Sequence, residues 1–246
     1  MNLAQSTSKE LPSACISDLA ANAVDEAIVS RHSIRAYLDK PVPQSLIEEI
    51  LKVSARAPSG TNTQPWKVYV LTGAEQKALS QKVLSVVRNP ELNAQAKEAY
   101  NYYPDKWVSP YVDRRRKVGW DLYGLLGIGK ADKEKMMIQA ARNFEFFNAP
   151  VGLMFSIDRI MGQGSWLDYG MFLQNIMVAA RGRGLDTCPQ AAWNHYHSTI
   201  AQHLGFGEEE VFVCGMSLGY ADPTAIENSL ITEREPLANF VSFRGF

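Results

Sequence analysis

The sequence predicts an α+β fold, a central sheet enclosed by helices, and three observations carry that prediction. Segments with helical apolar spacing outnumber the β-rich runs. The β-rich runs do not alternate with helices as regular strand–helix units. One of them, PVGLMFSI at 150–157, is apolar almost throughout, as a buried strand would be. The 246 residues fit one domain, so a single unit over 1–246 is expected.

Taken in order, the first dozen residues are polar and read as a loose arm. Ile16 to Val29 spaces Leu19, Ala20, Ala23, Ala27 and Ile28 as a first amphipathic helix. Pro41 and Pro43 break the chain, Ser45 to Ala57 resumes as a helix, and Pro58-Ser59-Gly60 stops it. Trp66 to Thr72 (WKVYVLT) is a strand; Gly73 turns it into a helix from about Ala74 to Val87. Residues from about 89 to 132 form a helical insertion rich in aromatics around the basic run Arg114-Arg115-Arg116-Lys117. Lys133 to Phe147 then reads as a helix, 150–157 as the buried strand, and Trp166 to Leu185 as a long helix closed by Gly182 and Gly184. A short segment at Asp186 to Trp193, a helix near Ser198 to Leu204, a strand at Val211 to Leu218 and a tail ending in Phe243-Arg244-Gly245-Phe246 complete the chain.

Composition narrows the function. Hydrophobic residues make up 46%, enough for a core without disulfide or metal staples. A net charge of -1 argues against nucleic acid, despite the aromatic and basic insertion, and against an anionic membrane surface. The N-terminus lacks a basic region followed by an apolar run, no stretch approaches a membrane span, and three isolated cysteines suit a reducing compartment, so a cytoplasmic protein is expected.

Two stretches carry chemistry. In Ser30 to Tyr37 (SRHSIRAY), Arg31, Ser33 and Arg35 alternate along a short extended segment, so two guanidiniums and a hydroxyl share one side. Such a set can clamp a phosphate; taken alone it also reads as a solvated basic turn that caps the end of the first helix. In ARAPSGTNTQPW (55–66), the Pro-Ser-Gly turn exposes amides and hydroxyls that can meet the rim of a heterocycle, or simply link helix to strand. No Gly-x-Gly-x-x-Gly turn joins a strand to a helix; Gly124, Gly127 and Gly129 have the wrong spacing and context.

With these two motifs in this order the chain resembles the FMN-dependent nitroreductase family. Gly184-Leu185-Asp186-Thr187-Cys188-Pro189-Gln190 is similar to the family's glycine–leucine turn and proline-containing segment, and Val241 to Phe246 resembles its aromatic–x–glycine–phenylalanine ending. The resemblance implies a mostly antiparallel sheet, an intertwined homodimer with sites at its interface, non-covalent FMN, and NAD(P)H as electron donor. Arg31, His32, Ser33 and Arg35 would hold the phosphate, ribityl chain and pyrimidine edge. Pro58, Ser59 and Gly60 would reach the flavin from the other subunit, Pro189, Gln190 and Ala191 would line its ring, and Arg244 would reach the phosphate from the tail. The chain departs from many relatives in having Gln190-Ala191-Ala192 where they have a glutamate–glycine pair after the proline. Without a dinucleotide crevice, nicotinamide would react directly at the flavin and leave before a nitroaromatic or quinone enters, a ping-pong scheme needing no side-chain acid or nucleophile.

Other constellations are weaker. Cys188 lies near His195 and His197 in sequence but reads as a buried inert thiol, no metal site is expected, and Asp168 reads as a solvated or capping charge. Trp107, Tyr111, Trp120 and Tyr123 have two readings of equal weight, a lid that stacks flat substrates or the filling of a dimer interface.

Overall fold

The computed structural model describes residues 19–246. The expected N-terminal arm and the start of the helix predicted from Ile16 lie outside the described residues. α1 (Ala23–Ser30) starts where the Asn22 side chain accepts the amides of Val24 and Asp25, with Asp25 and Glu26 in its first turn. α2 (Gln44–Ser54) follows the two prolines and buries Ile47 and Ile50. β1 (Trp66–Thr72) passes directly into α3 (Gly73–Val87) at Gly73, whose φ of 54° suits glycine. The insertion supplies α4 (Pro90–Gln95) and α5 (Tyr111–Leu125). Then come α6 (Lys133–Ala141), β2 (Val151–Asp158), α7 (Gln163–Arg181), β3 (Asp186–Gln190), α8 (His197–Leu204) and β4 (Glu210–Gly219).

The four strands form one sheet in the order β1-β2-β4-β3, and every pair is antiparallel. β2 is central and buried up to Asp158, as its apolar run predicts. Its alternate side chains feed two cores. Leu153 and Phe155 meet Ile47 and Ile50 of α2 and Phe172, Ile176 and Ala180 of α7; Met154 meets Leu79 and Val83 of α3, Phe146, Trp193 and Ile200 on the other face. Two glycines make room for the second core. A Cβ on Gly152 would lie 2.5 Å from the Phe146 ring, and one on Gly215 would lie 2.6 Å from the Trp193 ring.

Three elements differ from expectation. The predicted helix at 133–147 ends at Ala141 and continues as a 3-10 segment, Arg142–Asn148, with positive φ at Phe146, Phe147 and Asn148. Seating the Phe146 and Phe147 rings against the sheet overrides helical propensity there. The insertion is only partly helical: residues 96–110 form no regular element and are held by side chains instead. Between Phe155↔Cys214 and Ser156↔Phe212 the β2–β4 register skips Val213, a bulge, and the free Val213 carbonyl accepts the Tyr100 hydroxyl at 2.6 Å. Asn194, almost fully buried, accepts the Ala99 amide at 3.0 Å and donates to the Tyr100 carbonyl at 2.9 Å. Finally, the segment after α7 is a true edge strand, β3, and α7 itself ends at Arg181 before Gly184 turns with φ 73°.

Candidate functional site

The site is built on the outer edge of β3. On leaving α1 the chain runs extended; Ser33 bridges Thr187 in parallel, and the Ile34 amide donates to the Thr187 carbonyl at 3.1 Å. The period of two then sorts the side chains as the sequence predicts. Ile34 and Ala36 are buried, while Arg31, Ser33 and Arg35 remain half-buried on the other side.

A scaffold from distant parts of the chain pins this segment from behind. The Asn228 side chain accepts the amides of Arg35 at 2.8 Å and Ala36 at 3.2 Å, and donates to the carbonyls of Ala36 at 2.8 Å and Asp222 at 2.9 Å. The His32 ring hydrogen-bonds the Asn228 carbonyl at 2.9 Å. Arg142 donates to the Arg35 carbonyl at 2.9 Å and pairs with buried Glu227 at 2.6 Å. Arg181, at the end of α7, donates to Ser30 Oγ at 2.9 Å and pairs with Asp186 at 2.9 Å.

Electrostatics gives the clamp its character. Burial, and then the neighbouring Arg234 guanidinium, lower the pKa of Arg31 below the usual arginine value. Among the described residues neither Arg31 nor Arg234 has a carboxylate partner. Burial pushes the Cys188 thiol up, against the smaller pull of Arg35, the Ser33 hydroxyl and Arg31. The Thr187 hydroxyl beside Ser33 is buried without a partner. Half-buried Arg31 and exposed Arg234 are like charges with spare donors that can take an anion, and a phosphate fits that donor set. The residues present thus fit the phosphorylated tail of a flavin mononucleotide. Cys188 itself is 4% exposed, and burial keeps it a neutral thiol, which matches the inert reading.

The second expected element, Pro58-Ser59-Gly60, caps the 3-10 turn Gly60–Asn62. The Gly60 amide donates to Asp168 of α7 at 3.0 Å, so Asp168 is a capping charge, and Ser59 Oγ accepts the Gln64 amide at 3.0 Å. Thr61, Asn62 and Gln64 all hold positive φ, a cluster of backbone strain fixed by these bonds. This loop sits at the first turns of α7 and the clamp at its last, about 20 Å apart at the helical rise.

On β3, Pro189 is exposed at the sheet edge, where a missing amide costs no ladder bond. Gln190 is turned inward: it donates to the Asn143 carbonyl at 2.7 Å and accepts from Ser217 at 2.8 Å. Its side chain is thus spent on the core, and Ala191 is half-buried beside it. Arg244 stands on the exposed tail with Phe243 and Phe246, whose rings meet edge to face. The cation this chain sets beside Arg31 is Arg234, which the sequence did not flag because Glu233 and Glu235 make it read as a solvated charge cluster. Asn228 and Arg142 were missed as well, since nothing local marks residues that act across the fold.

The aromatics of the insertion form two groups. Trp107 packs with Tyr103 under the Arg115 guanidinium, whereas Trp120 packs with Tyr123 near Lys130. Arg115 and Trp120 lie about 140° apart around α5, on different faces. Tyr111 is exposed, near Arg114.

Comparison with known proteins gives a consistent result. The profile described as the Nitroreductase family matches residues 28–220. A 4-nitrobenzoate reductase of Pseudomonas putida is 42% identical over 222 residues, 90% of this chain and 96% of that protein. A chloronitrobenzene nitroreductase of Comamonas testosteroni is 38% identical, over 89% of this chain and 96% of its own length. Among solved structures, the FMN and NADPH-dependent nitroreductase NfnB from sphigopyxis sp. strain HMH superposes with a TM-score of 0.87 at 36% identity, covering 91% of this chain and 99% of that one.

Proposed function

The chain belongs to the nitroreductase family, and from that premise we propose that Arg31, Ser33 and Arg234 hold the phosphate end of FMN on the edge of β3. The protein is an FMN-dependent oxidoreductase that reduces nitroaromatics and related electron-poor aromatics with NAD(P)H. The observation that carries the placement of the cofactor is the segment docked along β3 at Thr187, where half-buried Arg31, Ser33 and Arg35 share one side and Arg31 has no carboxylate partner among the described residues.

Bound FMN would supply the redox chemistry, two-electron transfer between nicotinamide and oxidant in separate encounters. The chain's own residues bind, orient and polarise. Arg31 and Arg234 neutralise the phosphate, with Ser33 donating a hydroxyl and His32 fixed behind them. Arg35 already donates to the Ser33 carbonyl at 3.2 Å, and its remaining donors would hold the pyrimidine edge of the flavin and place positive charge there. Pro189 and the backbone of Gln190 and Ala191 line the ring. The inward-turned Gln190 side chain leaves that contact to backbone, so the missing glutamate–glycine pair costs the site a side chain and not its surface. Of Trp107, Tyr111, Trp120 and Tyr123, which lie in two groups on different faces of α5, one group supplies stacking surface for a flat oxidant and the other is left for the dimer interface.

The working unit is a homodimer. α7 is apolar on two opposite sides: Tyr169, Phe172, Ile176 and Ala180 face the core, and Leu167 and Val178 lie on the other side, with Leu167 72% exposed. Leu19, Val24 and Ile28 around α1 and Leu237, Phe240, Phe243 and Phe246 of the tail add exposed apolar surface. A two-fold axis across α7 brings the Pro58–Gly60 loop of one copy to the clamp of the other, since these lie at opposite ends of that helix. The tail with Arg244 extends the same interface. Buried free Cys188 and Cys214 suit a reducing cytoplasm. Among the described residues no helix is long and apolar enough to cross a membrane.

Anaerobic spectroscopy tests the reading. The purified protein is expected to carry FMN, its visible band to bleach with NADH or NADPH, and the band to return on adding 4-nitrobenzoate. Arg31→Ala is expected to weaken FMN retention by about 1.5–3 kcal/mol, the worth of a hydrogen bond to a charged group. FMN affinity unchanged in Arg31→Ala would show the phosphate lies elsewhere.

A further inference from the structure

The insertion does more in this fold than cover a surface, because α5 grips both residues that flank Arg234. Arg114 of α5 pairs with Glu235 through a short contact, Nη2 to Oε2, at 2.5 Å. Lys117, one turn further along, bonds Asp121 at 2.7 Å and reaches Glu233 at 3.5 Å. Asn239 also donates to Glu235, at 2.5 Å. Seven residues upstream of Glu235, Asn228 is fixed to the backbone of Arg35 and Ala36. The short span from Asn228 to Glu235 is therefore tied at one end to the clamp and at the other to α5, with Arg234 between the two ion pairs. Arg234 also folds one guanidinium nitrogen onto the Thr232 carbonyl and hydroxyl and the Glu233 carbonyl, at 2.6 to 3.0 Å, leaving its other donors for a ligand.

A strand of chain with Glu-Arg-Glu at its exposed turn would, left alone, let either glutamate fold onto the arginine between them and cancel its charge. Arg114 and Lys117 occupy both carboxylates instead. We propose that Arg114 and Lys117 of the insertion are positioning residues for the cofactor phosphate: by holding Glu235 and Glu233 away from Arg234, they keep that guanidinium free for the anion and couple the insertion to flavin retention. The inference rests on the reading that Arg31 and Arg234 take the phosphate. It assigns α5 a role beyond substrate contact, and it makes the effect specific to the charged end of the flavin.

The test compares retention of FMN with that of riboflavin, which lacks the phosphate, by following flavin fluorescence as loaded protein is diluted. Arg234→Ala comes first, as a check on the underlying reading: loss of FMN affinity with riboflavin unaffected supports the phosphate site, and unchanged FMN affinity removes that reading. Given that site, Arg114→Ala combined with Lys117→Ala is expected to weaken FMN by about 3- to 10-fold, the range of two exposed ion pairs acting together, and to leave riboflavin unchanged. Adding both to Arg234→Ala should cause no further loss. The charge exchange Arg114→Glu with Glu235→Arg should restore most of the affinity. If the double variant holds FMN as tightly as the parent, or loses FMN and riboflavin alike, the positioning role is wrong and α5 merely packs on the tail.

Discussion

Replacing Asn228 by alanine removes four hydrogen bonds at a stroke, to the amides of Arg35 and Ala36 and the carbonyls of Ala36 and Asp222. Alanine cannot replace them, and the backbone groups they serve lie in a half-buried seam where water reaches only some. At a net 0.5–1.5 kcal/mol per bond, discounted for that partial exposure, the loss comes to about 2–4 kcal/mol. For a chain of this size each kcal/mol moves the melting temperature by roughly 2–4 °C, so Asn228→Ala should melt roughly 5–12 °C below the parent. Scanning calorimetry on the FMN-loaded protein measures it, with Ser229→Ala as the neighbouring control: Ser229 is exposed and bonds only the Ile226 carbonyl, so that change should stay within about 0.5 kcal/mol. Flavin retention should fall in parallel, because the same bonds set the backbone that carries Arg31, Ser33 and Arg35. An Asn228→Ala protein that melts with the parent and keeps its flavin would refute the idea that this side chain holds the clamp.

Other perturbations probe separate parts of the fold. Gly152→Ala should destabilise by about 1–3 kcal/mol, since the new methyl meets the Phe146 ring at 2.5 Å; denaturant unfolding reads this, and combining it with Phe146→Leu should recover part of the loss. Tyr100→Phe removes the hydroxyl bond to the bulged Val213 carbonyl and should cost about 1 kcal/mol while speeding proteolytic nicking between residues 96 and 110. Equal cleavage rates for the two proteins would show that the latch does not hold that segment. Acid should expose Glu210. Burial alone would raise its pKa, but hydrogen bonds from Ser156, Tyr69 and Lys67 outweigh it and hold the carboxyl below the usual value. A depressed folded pKa contributes stability above the unfolded value that is lost as pH falls through the folded one. The melting gap between the parent and Glu210→Gln should therefore be full at neutral pH and close below about pH 4; a gap that widens in acid would contradict the sign.

Much of this architecture was legible in the chain itself, and the reasons are local. β1, β2 and β4 announced themselves through β-branched and aromatic runs, β3 (DTCPQ) did not, and Arg31, Ser33 and Arg35 showed a period of two that survives on the β3 edge. Where tertiary contacts decided, the reading slipped. Phe144 to Phe147 look helical, yet the ring of Phe146 has to reach the gap over Gly152, and the backbone bends through positive φ to allow it. Residues 96–110 have no periodic pattern because Asn194 and the β4 bulge, 94 to 113 positions away, supply their order. Arg234 and Asn228 escaped for the same reason. Their partners lie on α1's far side of the chain, 193 positions away for Arg35 and Asn228, and no spacing rule spans that distance.

α7 touches both halves of the site, holding Gly60 through Asp168 near its start and Ser30 through Arg181 at its end. A helix used in this way is a ruler. Deleting or inserting one residue between those two contacts would slide the ends by about 1.5 Å and swing them by about 100°, putting the Pro58–Gly60 turn and the arginine edge out of register both within a chain and across the pair. Such a segment can change its side chains freely on its outer face, yet its length is fixed to the residue, and any variant that lengthens it must give up one site contact or the other.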